Sequence, residues 1–331
     1  MMEKEESGMN GFFQERYVLI TPCKNEETNL PNLIRSMIVQ SHKPVLWVIV
    51  DDGSTDKTGE IIAEAERKYE WIKGVYLKEN KEYDVGTHLA YVCNVGFKFA
   101  RDYCSENNIK YEYIALIDAD NIPEVDYFKK LVNEFKINAK LGIASGNSAY
   151  VDMEQIKDIS KNENEYPYNI YKKYITEIQK GREDLPMGSA RMWRKECFEA
   201  IGGGYPIAKA PDNVANIKAK LRGWDTKRFM DIMVIERRGQ SKQGLWTGYN
   251  QVGESNYYRG YTFRIAILKA LNYSFKKPYY IGIAYLWGYI KSVIYRKERI
   301  KDEEILKYYR YERPQELKAY YKGKLKKLLG K

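Results

Sequence analysis

Two carboxylates spaced i, i+2 stand in DADN at 118–121, directly after the apolar run 113–117. If the alternation of a strand breaks there, Asp118 and Asp120 can converge on one hard divalent cation, and oxygen ligands suit Mg²⁺ or Mn²⁺. A D-x-D triplet by itself is common and reads equally well as a solvated turn. Its company changes that reading. Two further apolar runs also open into polar segments, TPCKNEE at 21–27 and DDGSTD at 51–56. Asp212, at the start of another helical stretch, reads from composition alone as a helix cap.

An α/β sheet must position these segments. The alternation of apolar runs predicts strands over 16–20, 45–50, 71–77 and 113–117, with helices over 27–40, 56–69 and 87–104, the pattern of a parallel, doubly wound sheet. Ligands of such sheets bind beyond the carboxyl ends of the strands, which is where all three polar segments fall. Asn25 or Thr28 reads as the cap of the first helix, and Ser54 and Asp56 as caps of the second. His88 and Asn94 in the third helical stretch can equally satisfy neighbouring backbone. Beyond 142–146 the pattern changes. A tyrosine-rich stretch over 152–182 reads as an inserted helix and loops, followed by short helices over 194–201 and 212–221 and a strand over 229–237. Helical periodicity runs from Tyr257 onward and is broken at Pro278.

A chain of 331 residues with 44% hydrophobic and 30% charged residues is globular, so disorder and a small stapled module are excluded. No apolar run reaches membrane-spanning length; the segment 278–295 is marginal and suits a helix lying in a membrane interface, with Trp287 and Lys291 in contact. The scattered Cys23, Cys93, Cys104 and Cys197 suggest neither a zinc site nor a disulfide framework. They fit reduced thiols in cytoplasm, and the N-terminal residues lack the apolar core of a signal peptide. Of the net charge of +10, residues 296–331 carry +7, with thirteen Lys and Arg against six Asp and Glu. Lysines there, Lys322 and Lys326 among them, interleave with leucines in a way that suits anionic lipid head groups.

From about residue 17 to 238 the segments YVLITPCKNEETNLPNLIRSM, VIVDDGSTDKT, GTHLAYVCNVGFKFA, YIALIDADN, MGSARMWRKECFEAIGG and APDNVANIKAKLRGW resemble the inverting family-2 glycosyltransferases of the A-type fold. The resemblance implies a Rossmann-like nucleotide-sugar half over 16–121 fused to an acceptor half over 122–250. A flexible N-terminus over 1–15 precedes them, and amphipathic, basic helices over 251–331 follow. It implies nucleotide contacts at Pro22, Asn25, Glu26, Asp51, Asp52, Asn94, Asp118 and Ala119, with one of the paired aspartates accepting a base N–H. It places the metal at Asp118 and Asp120, the latter as direct ligand, and the base at Asp212. Two departures stand out. Pro211 replaces the first member of an acidic pair, and no histidine follows the final core strand, where Glu236, Arg237 or Arg238 would serve as third ligand or diphosphate partner. The function implied is transfer of a sugar from a UDP- or GDP-linked donor to a glycan or lipid-linked acceptor at the inner face of the cell membrane.

Two other classes compete. A nucleic-acid-binding protein would explain the charge, but no recognised module appears and the charge lies in the tail. A nucleotidyltransferase would carry a glycine-rich phosphate loop near its N-terminus, and TPCKNEE is not one.

Overall fold

The computed structural model describes residues 15–78, 86–151, 165–237, 244–275 and 277–319. In the first half, β1 (Tyr17–Cys23), β2 (Leu46–Asp51) and β4 (Tyr113–Ile117) are buried along their whole length, and β3 (Ile72–Tyr76) is covered less. Apolar runs buried on both faces belong to parallel strands sandwiched by helices. The strands indeed pair in parallel in the order β3-β2-β1-β4. The connecting helices are α1 (Leu30–Ile38), α2 (Thr58–Lys68) and α3 (Thr87–Glu106). The first starts later than its apolar pattern predicts. Asn29 occupies its cap position without a side-chain bond, so neither Asn25 nor Thr28 caps it.

The parallel pattern ends at β4. A three-residue strand β5 (Asn121–Pro123) leads to α4 (Tyr127–Ile137), β6 (Leu141–Val151), α5 (Pro167–Lys172), β7 (Ile175–Ile178) and β8 (Ala190–Arg194). Then come α6 (Lys195–Ala200), α7 (Pro211–Leu221) and β9 (Asp225–Glu236). Among the described residues nine strands form one mixed sheet in the order β3-β2-β1-β4-β8-β6-β9-β5, with β7 paired to β6. β8 lies antiparallel between β4 and β6, and β9 runs parallel to β6 before pairing antiparallel with β5. The sequence pattern does not announce α4, β5, β6, β7 or β8: β5 and β7 have only three and four residues, β8 is a five-residue run interrupted by arginines, and the eleven-residue β6 carries glycines, serines and an asparagine in place of a regular apolar alternation. Of the inserted stretch expected over 152–182, residues 152–164 lie outside the described residues, and the remainder holds α5 and β7.

The C-terminal part is helical. It comprises α8 (Leu245–Tyr258), α9 (Phe263–Ser274), α10 (Ile281–Ile294), α11 (Glu303–Lys307) and a π-helical turn over Tyr308–Glu312. Helix begins well ahead of Tyr257, and α8 runs through 250/251, where the sequence reading divides the catalytic part from the extension. The backbones of α8 and α10 touch: a Cβ at Gly253 would overlap the Tyr285 carbonyl, and one at Gly288 that of Asn250. Val214 and Ile217 of α7 share a core with Tyr257, Tyr261, Tyr285 and Tyr289, so the extension packs directly on the helix that carries Asp212. Among the described residues no helix is long and apolar enough to cross a membrane.

Candidate active site

The carboxyl ends of β1, β2 and β4 open on one cleft of about 230 Å³, lined by Pro22, Lys24, Glu26, Asp52, His88, Asp118, Ala119 and Asp120 among others. The alternation of β4 does break at DADN. The Asn121 amide donates to the Asp118 carbonyl (3.1 Å), closing a turn between β4 and β5 that brings both carboxylates to the cleft. That turn is tied from two sides. The Asp118 amide and the Asn121 side-chain amide donate to the Ser189 carbonyl (2.8 and 2.7 Å), and the Arg237 amide donates to the Asp120 carbonyl (3.0 Å).

The loops after β1 and β2 hold each other. Asn25, at φ 55°, donates its amide to Ser54 Oγ and accepts from the Thr55 amide at 2.8 Å. Asp51 accepts from the Ser54 amide (3.0 Å), so Ser54 staples the loops and does not cap α2, whereas Asp56 accepts from the Thr58 amide and hydroxyl at the start of that helix. Glu26 is buried; its amide donates to Thr58 Oγ1 and its carboxylate accepts from Asn29 Nδ2 at 2.7 Å. Asn94 is spent on the backbone, bridging the amide and carbonyl of Tyr205 (2.7 and 2.9 Å). Of the nucleotide contacts read from the sequence, Pro22, Glu26, Asp52, Asp118 and Ala119 line the cleft together; Asn25, Asp51 and Asn94 are engaged in holding its loops.

Asp52 is buried on the cleft wall between two positive or polarisable partners. His88 Nε2 lies 2.8 Å and Lys24 Nζ 3.6 Å from its Oδ2. Its Oδ1 is buried without a partner among the described residues. Lys24 is a site residue that pattern reading passes over, and His88, read there as a partner of neighbouring backbone, instead lies beside Asp52. The first stands inside TPCKNEE, and the second is one of only two histidines in the chain, so both were visible as types but not as neighbours of Asp52.

Asp212 does not cap α7. Ala210 holds the cap position in the left-handed region (φ 58°, ψ 61°), a conformation that costs a non-glycine residue of order 1–2 kcal/mol and tends to collect at functional sites. Pro211 then starts the helix with its φ already fixed. Asp212 follows in the first turn and packs on Gly188, where a Cβ would stand 3.3 Å from its Oδ2. Since the next residue, Ser189, receives the Asp118 amide, Gly188 and Ser189 join Asp212 to the DADN turn. Beneath them the fully buried Arg191 donates to the carbonyls of Pro186, Met187 and Asp212 and stacks on Trp193 at 5.3 Å. Burial raises the pKa of the Tyr205 phenol, against the lowering by Arg191.

At the end of β9, Glu236 accepts from the hydroxyls of Ser148 and Ser189. Arg237 turns inward. It donates to the Thr28 carbonyl (2.6 Å) and Asn29 Oδ1 (2.7 Å) and stacks over Tyr171, joining β9 to the loop that carries Glu26. Burial lowers its pKa, against the pull of Tyr171, Asp120 and Glu26. Arg238, Lys322 and Lys326 lie outside the described residues. All four cysteines are free and buried, and burial raises each thiol, Cys104 to about 11 and Cys197 to about 12.

The pattern of glycosyl transferase family 2 matches residues 18–202, more than half of the chain and the whole stretch that builds this cleft. The chain belongs to glycosyltransferase family 2. As a family-2 glycosyltransferase it is similar over 125 residues, 30% identical, to a poly-beta-1,6-N-acetyl-D-glucosamine synthase of Staphylococcus epidermidis, a match covering 38% of this chain and 26% of that protein. It is 29% identical over 133 residues to the glycosyltransferase GlyA of Streptococcus pneumoniae serotype 4, covering 40% of this chain and 17% of that one. The matched part thus spans about a quarter or less of these curated relatives. Among solved structures, the mannosyltransferase PcManGT from Pyrobaculum calidifontis, in complex with GDP-Man and Mn²⁺, superposes with a TM-score of 0.51 at 17% identity, covering 86% of this chain and 74% of that one. The likeness is one of fold, the A-type glycosyltransferase architecture of this family-2 enzyme.

Proposed function

We propose that this family-2 enzyme is an inverting, metal-dependent glycosyltransferase that moves a sugar from a UDP- or GDP-linked donor to a hydroxyl or phosphate of a glycan or lipid-linked acceptor. The carrying observation is the convergence of Glu26, Asp52, Asp118 and Asp120 on one cleft, with Asp212 joined to the same turn through Gly188 and Ser189. PcManGT with its GDP-Man and Mn²⁺ supports a nucleotide-sugar donor and a divalent cation, and the synthase relative supports a glycan product.

Among the described residues no group of three His, Cys, Asp or Glu is gathered around a metal position. Two carboxylates on one wall fit a Mg²⁺ or Mn²⁺ that completes its shell with diphosphate oxygens and water. Asp118 and Asp120 would hold it, and when bound the cation neutralises charge developing on the departing diphosphate. Asp52, steadied by His88 and Lys24, offers a carboxylate to an N–H of the base. Asp212 takes the proton of the acceptor hydroxyl as its oxygen attacks the anomeric carbon. A single base acting opposite the leaving group gives one displacement, so an α-linked donor yields a β-linked product, which proton NMR of the glycoside reads directly. Chelation is expected to abolish transfer, and Asp120→Asn to abolish it with the fold intact. Full activity of Asp120→Asn at saturating donor refutes the metal assignment.

The enzyme meets its acceptor at an anionic membrane surface on the cytoplasmic side. Leu268 and Ile283 are 65% and 63% exposed, Phe275 is 85% exposed and Trp287 50%, an apolar face on α9 and α10 with Lys291 on the same helix as Trp287. Such a face beside a basic tail suits shallow insertion among head groups.

A further inference from the structure

Away from the cleft, where the C-terminal helices pack on α7, three cations surround one phenol. Lys269 of α9 places its Nζ 4.8 Å from the ring centre of Tyr261 and 5.9 Å from that of Tyr285. Arg259, at the end of α8, lies 5.9 Å from Tyr261 and 5.4 Å from Tyr309. Its hydrogen bonds go to neutral groups, the Ser255 carbonyl, Asn256 Oδ1 and the Tyr309 hydroxyl. Arg313 hydrogen-bonds with the Tyr261 phenol and donates to Glu316 at 2.6 Å. Among the described residues Glu316 is the one carboxylate paired with these three cations, which leaves an excess of positive charge in a largely covered position.

Covered cations without counter-charges are costly, and the group shows the strain of it. Burial lowers the pKa of Lys269, and Arg259, Arg313 and Arg182 add to the lowering against Tyr261. Burial would raise Tyr261, yet Lys269, Arg259 and Arg313 together bring it below the ordinary tyrosine value. The group also faces the catalytic half. Tyr261 of the group packs in one core with Val214 and Ile217 of α7, the helix whose first turn holds Asp212.

We infer that Arg259, Lys269 and Arg313 form an anion site beside α7, the helix that carries Asp212, that takes a phosphate or phosphodiester group of the acceptor. The inference rests on the glycosyl-transfer reading and names the class of acceptor for it. A phosphate offers several acceptor oxygens and up to two charges, which matches an ammonium and two guanidinium groups better than a single carboxylate would. Tyr261 also lines a mainly apolar cavity of about 600 Å³ with Phe263, Tyr289, Ile290, Arg299 and Arg310, so an apolar chain attached to the phosphate has room beside it.

The test is calorimetric titration of the full-length protein with inorganic phosphate, after saturating the donor cleft with UDP or GDP and Mg²⁺, and again with dodecyl phosphate below its micellar concentration. Phosphate is expected to bind the nucleotide-loaded protein, and Lys269→Gln and Arg259→Gln are each expected to weaken it about tenfold or more. Lys301→Gln, at an exposed lysine paired with Glu298, is expected to leave it unchanged. Lys269→Met, which keeps the apolar stem, replaces Lys269→Gln if that variant does not fold. Tighter binding of dodecyl phosphate assigns the phosphate to a lipid, and equal binding assigns it to a water-soluble acceptor. No phosphate binding, or binding that the Lys269 and Arg259 variants leave unchanged, overturns the site. Failure of UDP and GDP to bind instead brings down the donor reading, and the phosphate titration without nucleotide still decides the anion site.

Discussion

Gly188→Ala tests whether Asp212 is a base held in place by its neighbours. The φ of Gly188 lies outside the left-handed region, so alanine fits the backbone there. The new Cβ would stand 3.3 Å from Asp212 Oδ2 and 3.4 Å from its Cβ and Cγ, inside the ~3.5–4.0 Å optimum for such contacts. The carboxylate therefore yields by a few tenths of an ångström. Stability is expected to change little: about 0.4–1 kcal/mol is gained through the unfolded chain, against about 0.5–1.5 kcal/mol for an aspartate pushed off its rotamer. Catalysis is more sensitive. A displacement of ~1 Å costs roughly 10²-fold, so a few tenths give a fall of about 3- to 10-fold in kcat. Initial rates at saturating donor, the donor KM and a melting curve separate the effects. Unchanged kcat would refute the positioning argument, and a fall carried by donor KM would place the effect in the cleft rather than at the base.

Asp212→Asn removes the proton acceptor, but because Ala210 and not Asp212 is the cap, it costs only the charge–dipole interaction of the first turn, about 0.3–1 kcal/mol, against roughly 10²–10⁴ in rate; turnover within a few-fold of the parent protein rules out the base. Arg237→Met leaves Asn29 Oδ1 without its donor and the Thr28 carbonyl with only the longer bond from Asn32 Nδ2 (3.3 Å), and is expected to cost about 1–3 kcal/mol in urea unfolding and to weaken nucleotide binding; undiminished stability argues against the clamp. Burial would raise the Asp184 carboxyl, but hydrogen bonds from Arg182 and Lys220 hold it at about 2, so its stabilising contribution is present above pH 3.8 and is lost as pH falls toward 2. The stability gap between the parent and Asp184→Asn, followed by acid titration, should close over that interval, and a gap that widens contradicts the assignment. The protein is expected to co-sediment with vesicles of anionic lipid, less so in high salt and less so for Trp287→Ala or a chain ending at residue 319; equal partitioning onto neutral vesicles removes the membrane argument.

Local patterns and remote contacts contributed differently to the site. The cleft-facing placement of Asp118 and Asp120 was legible because an apolar run ended in polar residues and strand ends in such sheets face the ligand. Asn94 was legible as a polar residue on a helix, but its bond to Tyr205, 111 residues away, was not. Arg237 and Asn29 are 208 residues apart, and nothing in VIERRG says that its first arginine turns inward to that partner rather than outward to phosphate.

The sequence by itself determined the parallel half of the sheet, its helices and the position of three polar segments at strand ends, because each follows from the spacing of apolar residues over a few turns or pleats. Only the tertiary structure decided that β8 would enter antiparallel between β4 and β6, carrying Gly188 and Ser189 to the DADN turn and seating Asp212 beside them. It likewise decided that Arg259, Lys269 and Arg313 would meet around Tyr261. The place of β8 between β4 and β6 and the meeting of cations from three separate elements leave no periodic trace along the chain; their positions follow from burying the whole set of helices and strands at once, a condition that no local window of sequence contains.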